Sequence, residues 1–412
     1  MRLPLTYYAR IAVLAGLLSH AGVAADAPPA PPQQFIVLNT SGRADAAEFF
    51  AAVRREFPAT PQAPTRVGVA GIFSYLREPP AQLRASLAAF LSLAEQYDMP
   101  IVVQLDGEQW WDGRPDLWNW WDPARPGFNP QNRANVEWSG WGPQHALRIA
   151  WRNWGQQLRV LPPPNLMSPA YRSACHQEMA ALIPIIMDWW HGLPPPRRDL
   201  LVGIKLGWES SVGVNAWYYP DGNALADRPP AEDPQTGLKN TEVPARGVTP
   251  IGYAAASQAG IRTSGELTEK DLAEIAARHL EDLCREAARL GVPRDRLFTH
   301  TAGWKDGELL YQAAVNRFSC PGWSFYRHAN DPAKDTGARD ALARSDAPYW
   351  AAVEWLGGGP SVEAWRAALT HTLADPRCRF LTLYNWEGIE RNPVALRAIE
   401  HVVEHRHGHP AD

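Results

Sequence analysis

Several signals that identify common protein classes are missing from this sequence. Lys and Arg number 40 against 44 Asp and Glu, so a net charge of -4 leaves no basic field for binding nucleic acid. No hydrophobic run outside the extreme N-terminus approaches the length of a membrane span. The patterns GxSxG, HExxH and GxGxxG after a strand are absent, so serine hydrolases, zincins and dinucleotide-binding enzymes have no support.

Cysteine is scarce as well, with four in 412 residues. They are Cys175, Cys284, Cys320 and Cys378, and none are spaced as CxxC, so the sequence predicts no zinc site. In an exported protein disulfides among them would be possible, and four cysteines allow three connectivities.

The N-terminus predicts export. Residues 1–25 combine Arg2 and Arg10, a short apolar run and the small residues Ala24 and Ala25, which is the pattern of a cleaved signal peptide. Cleavage before Asp26 would remove two arginines and no acid and take the net charge from -4 to -6. We therefore expect a periplasmic or secreted protein without a membrane span after cleavage.

Beyond residue 25 the sequence predicts a Pro/Ala-rich linker over 26–34, one folded domain over 35–406 and a short tail over 407–412 that contains two histidines. Within the domain, short apolar segments bounded by Gly, Pro or Asp alternate with segments of 3.6-residue apolar period. The predicted strands are Phe35–Asn39, Arg66–Phe73, Pro100–Leu105, Leu200–Leu206, Arg296–Thr299, Trp323–Tyr326, Tyr349–Val353 and Arg379–Tyr384. The predicted helices are Ala44–Phe57, Ala81–Tyr97, Ser168–His191, Thr268–Leu290, Gly307–Phe318, Ala338–Arg344, Val362–Ala374 and Pro393–His405.

Eight strands, each followed by a helix, predict a (β/α)₈ barrel of the α/β class. Two connections are oversized: about sixty residues follow the third strand (Asp106 to Met167) and a similar number follow the fourth (Gly207 to Gly265). Both leave the carboxyl ends of their strands, where barrel enzymes build their active sites. Long loops in compact domains are usually functional.

Tryptophan is the residue present in excess, with 19 in the chain, and nine of these fall within residues 110–154. Flat sugar faces stack on indole rings, and carboxylates read sugar hydroxyls, so the loop predicts a carbohydrate-binding surface with Asp106, Glu108, Trp110 and Glu137 as candidate contacts. Two alternatives stay open: the tryptophans form the loop's own small core, or nearby acids bind a metal, although they lack an EF-hand pattern. We expect no metal and no cofactor.

Two glutamates follow the ends of predicted strands. Glu209 ends the fourth strand and Glu354 the seventh, and an acid at the end of an apolar strand is costly unless it is paired or used. Two carboxyl groups that meet across a barrel mouth are what glycosidic cleavage requires. His300 either forms a hydrogen bond to the substrate or is a structural histidine whose hydrogen bonds are made within the barrel. Glu387 either faces the mouth or forms a salt bridge. A Schiff-base lysine at position 205 is a further alternative.

These strand-end residues resemble the retaining glycosidases of glycoside hydrolase clan A, which carry glutamates after strands four and seven. Tyr326 after strand six and Trp386 after strand eight add to the resemblance, and the stretch from Asn135 to Trp141 is similar to barrel β-galactosidases. The resemblance implies a double displacement with Glu354 as nucleophile and Glu209 as acid/base. Tyr326 would orient Glu354, and Trp386 would stack beneath the sugar.

One position departs from the clan A pattern, because Trp208 stands where Asn usually precedes the acid/base. A second resemblance points to β-amylases, which have Gly-Trp-Glu on strand four, as at Gly207 to Glu209, and which invert configuration. A carboxyl separation of roughly 5–5.5 Å predicts retention and one of about 6.5–9.5 Å predicts inversion. Trp208, Trp355 and Trp386 all lie beside strand-end acids. A non-catalytic carbohydrate-binding barrel is the alternative from another class. In every case the expected partner is an oligo- or polysaccharide.

Overall fold

Eight parallel strands close into one barrel, which confirms the predicted (β/α)₈ architecture. Going around the barrel, the order is β1-β11-β10-β9-β8-β6-β3-β2. All eight predicted strands are present, with ends shifted by a few residues. They are β1 (Gln34–Asn39), β2 (Thr65–Ser74), β3 (Ile101–Asp106), β6 (Leu201–Ser210), β8 (Leu297–Thr301), β9 (Gly322–Phe325), β10 (Trp350–Trp355) and β11 (Cys378–Leu383).

The computed structural model describes residues 32–40, 45–61, 63–148, 150–153, 157–212, 216–217, 251–301, 307–326 and 331–405. The predicted signal peptide, most of the predicted linker and the histidine-containing tail lie outside these ranges. In the described part of the chain, no helix is long and apolar enough to cross a membrane.

Helices surround the barrel on its outer side. They are α1 (Ala46–Glu56), α2 (Pro80–Gln96), α3 (Pro115–Trp118), α4 (Pro169–Gly192), α5 (Tyr253–Gln258), α6 (Glu269–Arg289), α7 (Thr336–Arg344), α8 (Val362–Thr372), α9 (Trp386–Ile389) and α10 (Pro393–His405). Alternate residues of each strand face the barrel interior or these helices. On β1, for example, Phe35 and Val37 pack inside the barrel, whereas Ile36 and Leu38 pack against the helices.

One predicted helix is wrong. The sequence predicts a helix over Gly307–Phe318, but the structure has only a 3₁₀ segment over Leu309–Ala314. The physical reason lies at Asn316, whose Oδ1 accepts hydrogen bonds from the backbone amides of Phe318 (2.9 Å) and Ser319 (3.1 Å). That side chain offers the backbone a turn in place of further helical bonds.

A small antiparallel sheet joins the two long loops. Strand β4 (Ala150–Asn153) pairs with β5 (Gln157–Val160) from the same loop and with β7 (Ala216–Trp217), which follows β6. The loops after the third and fourth barrel strands are therefore connected by backbone hydrogen bonds beside the barrel mouth.

The four cysteines are all free and buried, so the disulfides considered from the sequence are not formed. Each lies in a different element or turn. Burial raises the pKa of Cys175 and of Cys284 to about 12. These thiols therefore stay protonated and behave as small apolar side chains.

Helix α6 begins with a capping box that offers a test of the fold. Thr268 Oγ1 accepts a hydrogen bond from the amide of Asp271 (3.2 Å), and Asp271 Oδ2 accepts one from the amide of Thr268 (2.8 Å). We expect Thr268→Ala to lower the free energy of unfolding by about 1 kcal/mol, because the first turn loses a partner. Urea denaturation measures this. Lys270→Ala, at an exposed neighbouring position, is the control, and equal stabilities of the two variants would contradict the assignment.

Candidate active site

The interior-facing side chains at the carboxyl ends of the barrel strands form one polar cluster. We call it the mouth cluster: Asp106, Lys205, Glu209, His300, Ser324, Tyr326, Glu354 and Tyr384. Both predicted catalytic glutamates belong to it, and the Lys205 ammonium interacts electrostatically with each of them. The structure thus brings together residues that are far apart in the sequence.

An irregularity at the end of β6 presents Glu209. Leu206 pairs with Thr299 and Ser210 with Thr301, so an advance of four residues along β6 matches an advance of two residues along β8. Within this insertion Gly207 has a φ of +82° and Glu209 a φ of +50°. The left-handed conformation is costly for a non-glycine residue, and such strain clusters at functional sites.

A bulge on β10 presents Glu354. Ala351 pairs with Gly322 and Glu354 with Ser324, so three steps on β10 oppose two on β9. The extra residue reverses the alternation of the strand. Glu354 therefore faces the mouth cluster, whereas Trp355, which strict alternation from Val353 would place inside, faces the helices.

Glu354 lies among groups that stabilise a negative charge. Its Oε2 is 3.2 Å from His300 Nε2, and the Tyr384 hydroxyl hydrogen-bonds to its carboxylate. His300 is fully buried, and its Nε2 is also 2.8 Å from Ser324 Oγ. Burial, followed by the nearby Lys205 charge, lowers the pKa of His300 to about 4, so this imidazole is neutral at neutral pH.

Glu209 has a different partner. The Tyr326 hydroxyl donates a hydrogen bond to Glu209 Oε1. The resemblance to clan A implies that Tyr326 orients Glu354; the hydrogen bond shown here joins Tyr326 to Glu209, and the role at Glu354 stays a prediction. Because β9 follows β8 around the barrel and β8 adjoins β6, a tyrosine directly after β9 reaches the inserted segment of β6.

Asp106, within the cluster, and Glu108, two residues further along the chain, are both buried. Asp106 Oδ1 accepts hydrogen bonds from the amides of Glu108 (2.9 Å) and Gln109 (3.1 Å), and Ser74 Oγ donates to its Oδ2 (3.0 Å). Burial raises the pKa of Asp106 to about 6 despite these bonds. Asp106 therefore shapes the turn that leaves β3.

A network below the mouth was missed by sequence reasoning. Glu108 Oε1 accepts a hydrogen bond from Ser210 Oγ (2.6 Å) and lies 3.1 Å from Nε2 of His279 on α6. Since Ser210 directly follows Glu209, this network anchors the strained segment of β6. His279 is fully buried on the apolar stripe of α6. From the sequence alone, a histidine on such a stripe cannot be told from one that only packs in the core.

Two predicted stacking residues are directed to the helix side. Trp355 is 1% exposed, donates from Nε1 to Thr372 Oγ1 on α8 (2.9 Å) and packs on Trp365. Trp386 is 5% exposed and packs near Phe49 of α1, with ring centroids 6.5 Å apart. Both indoles stabilise the outer layer, since the β10 bulge and the turn after β11 aim them outward. Tyr384 takes the interior position after β11.

Two further candidates hold the long loop together. Asn135 donates from Nδ2 to the Leu117 carbonyl (3.0 Å) and accepts from Ser168 Oγ (2.6 Å). Glu137 is fully buried, and its Oε2 accepts a hydrogen bond from the Ala254 amide at the start of α5 (3.2 Å). Burial raises the pKa of Glu137 to about 8. Both residues are enclosed by the loop instead of facing the mouth.

Three candidates are half-buried near the strand ends. The Arg77 guanidinium lies 4.9 Å from the centre of the Trp110 ring, and the Gln109 amide donates to the Trp208 carbonyl. Glu387 accepts a hydrogen bond from the Thr40 hydroxyl (2.9 Å). All three retain some exposure, so their predicted contacts with substrate remain predictions.

The tryptophan-rich loop packs substantially on itself. Trp111, Trp118 and Trp120 are buried, and each indole donates to a backbone carbonyl within the loop. Arg133 stacks over Trp120 at 4.6 Å. All three belong to the main hydrophobic cluster, which also contains Tyr171 of α4, so these tryptophans serve packing without forming a separate core of the loop. Among the residues that the structure describes, no group of three or more His, Cys, Asp or Glu side chains is arranged to hold a metal ion.

Comparison with protein-family models and with curated protein sequences finds no match. Solved structures that resemble this chain include a family 5 glycoside hydrolase of Bifidobacterium longum (TM-score 0.42, 11% identity, 86% of this chain and 69% of that one). They also include the Paenibacillus polymyxa β-amylase catalytic domain (0.46, 8%, 87% and 93%) and a Bacillus subtilis mannanase (0.42, 10%, 90% and 86%). The fold itself rests on the strand pairing described above.

Gly207 gives a test of the β6 geometry. A Cβ at this position would lie 2.3 Å from Ser210 Oγ and 2.9 Å from Glu108 Oε1, on a backbone with a φ of +82°. We expect Gly207→Ala to lower the free energy of unfolding by about 2 kcal/mol or more. Gly192→Ala is the matched control, because its Cβ would meet nothing within 4 Å at the end of α4. Chemical denaturation compares them, and a Gly207 variant as stable as the control would refute the described geometry.

Proposed function

We propose that the protein is an exported glycoside hydrolase that cleaves β-linked glycans with retention of configuration. The observation that carries the proposal is the pair of glutamates presented by strand irregularities on β6 and β10, together with the polar groups between them. Burying several ionisable groups in one barrel mouth costs stability. A catalytic use explains why such a cluster is maintained.

The surroundings of the two carboxyl groups support different roles. Glu354 lies beside the Lys205 ammonium, the Tyr384 hydroxyl and His300, all of which stabilise an anion, so Glu354 is the nucleophile. Glu209 is 3% exposed and accepts a hydrogen bond from the neutral Tyr326 hydroxyl, and we assign it as the acid/base.

The reaction then takes two steps. Glu209 donates a proton to the glycosidic oxygen as the Glu354 carboxylate attacks the anomeric carbon, which breaks the bond to the leaving sugar and forms a glycosyl ester. Glu209, now ionised, removes a proton from a water molecule that attacks the same carbon and releases Glu354. No step needs a cofactor. The half-buried Trp110 and Trp208 are proposed to contact the sugar.

Replacing each glutamate by its amide tests the roles. For Glu354→Gln we expect kcat/KM to fall roughly 10⁴-fold or more on any glycoside, because the nucleophile is lost. For Glu209→Gln we expect a fall of about 10² to 10⁴-fold on alkyl glycosides. The loss should be smaller on dinitrophenyl glycosides, whose leaving group needs no proton.

A panel of aryl and alkyl glycosides measures these rates, and Glu400→Gln, exposed on α10, is the control. If both active-site variants hydrolyse glycosides at the wild-type rate, the assignment is refuted. If the wild-type protein binds glycans but hydrolyses none, it is a carbohydrate-binding barrel.

The stereochemical outcome separates the retaining mechanism from a β-amylase-like one. We expect proton NMR to show the first sugar released with the anomeric configuration of the substrate, because a covalent intermediate reverses configuration twice. Azide should also restore turnover to Glu354→Ala and yield a glycosyl azide of opposite configuration. Direct release of the opposite anomer by the wild-type enzyme would instead show inversion.

A further inference from the structure

Lys205 crosses the interior of the barrel between the two strands that carry the glutamates. It lies on β6, is 4% exposed, and its Nζ donates a hydrogen bond of 3.2 Å to the carbonyl oxygen of Val353. Strand β10 is three positions from β6 around the eight-stranded barrel. The contact therefore spans the interior and reaches the residue directly before Glu354, within the β10 bulge.

The charged and titratable groups around this ammonium come from five strands. The carboxylates of Glu354 on β10, Glu209 on β6 and Asp106 on β3 each attract it. His300 on β8 is neutral at neutral pH, since burial and Lys205 lower its pKa to about 4. Tyr384, after β11, interacts with both glutamates. Lys205 thus places one positive charge among three carboxyl groups.

We propose that Lys205 is a positioning residue for the hydrolysis, one that fixes the β10 bulge beneath Glu354 and supplies the buried positive charge against which both glutamates act. The inference rests on the proposed function and adds a residue that neither retaining nor inverting chemistry requires by itself. The hydrogen bond from Lys205 to the Val353 carbonyl across the barrel shows that this side chain does more than fill space. An apolar side chain of similar length would fill the same volume without the cost of burying a charge.

The ammonium has a defined pH range. Burial lowers the pKa of Lys205 from 10.5 to about 8, against the opposing attraction of the carboxylates. The residue is therefore charged at neutral pH and loses its proton as the pH rises through about 8. Because the folded pKa lies below the unfolded one, the unfolded chain binds more protons between these values. The contribution of Lys205 to the free energy of unfolding therefore increases as the pH rises from 8 to 10.5.

Lys205→Met tests the proposal, since Met keeps the length of the side chain and removes both the charge and the donor. We expect kcat to fall roughly 100-fold with KM changed less than about 3-fold, because positioning is lost while the sugar contacts remain. Besides the decline caused by ionisation of the acid/base Glu209, which both proteins share, we expect a further decline in the wild-type kcat centred near pH 8 as the ammonium loses its proton, and the variant should lack this further decline. Retention of this further decline in Lys205→Met, or a kcat within about 3-fold of wild type, would overturn the proposal.

Arg379→Met is the matched control. Arg379 is also 4% exposed, but it lies at the opposite end of the barrel, where it donates to Asp199 (2.9 Å) and to the Gln33 carbonyl (2.9 Å). Losing this buried cation should lower stability and leave kcat and the pH profile as in wild type. If Lys205→Met fails to fold, Lys205→Gln, which removes the charge and keeps a polar donor, is assayed: it should lack the further decline near pH 8, and its retention would overturn the proposal.

Two further measurements separate this inference from the proposed function. The melting temperature of wild type relative to Lys205→Met should rise between pH 8 and pH 10.5, which reports burial of the ammonium without any substrate. If the glutamate variants lose hydrolysis and Lys205→Met does not, only the present inference fails. If the glutamate variants keep wild-type hydrolysis, the proposed function fails first.

Discussion

The free-energy cost of burying charged groups inside a parallel barrel is the constraint on which the candidate active site depends. Such an interior is normally filled by layers of branched apolar side chains, and here the apolar side chains of Phe35, Phe298 and Phe380 fill it toward the amino ends of the strands. Above them, carboxyl groups and one ammonium replace apolar side chains. They are tolerated because each has a partner: Lys205 on the Val353 carbonyl, His300 on Ser324 and Glu354, and Tyr326 on Glu209.

Backbone irregularity is how the barrel presents these groups. A regular strand alternates inward and outward, and regular β10 would have directed Glu354 to the helices and Trp355 to the interior. The bulge exchanges them. On β6 the inserted segment requires a left-handed backbone at both Gly207 and Glu209, and the Glu108–Ser210 hydrogen bond holds it in place. The anchoring network thus offsets local strain at the site.

The tryptophans of the long loop after β3 differ in their burial, which the composition of the loop does not reveal. Its buried indoles satisfy their N–H groups on loop carbonyls and belong to the main hydrophobic cluster, so packing joins this long irregular segment to the helices. Glu137 ties the same loop to α5, and the β4–β7 pairing ties it to the segment after β6. Large aromatic side chains therefore serve to pack this long loop, and its ties to α5 and to the segment after β6 fix its position.

The sequence alone determined the eight barrel strands, seven of the eight predicted helices and the two glutamates at strand ends. These follow from local periodicity and from the rule that parallel strands end on one face of a sheet. The partners of those glutamates were decided by tertiary structure. A bulge is one extra residue relative to a neighbouring strand, so the sequence of one strand does not reveal it. This bulge decides that Glu354 faces the barrel interior and Trp355 the helices. Likewise, only the closed barrel brings Lys205 to the Val353 carbonyl and His279 to Glu108, because each contact joins positions more than 100 residues apart.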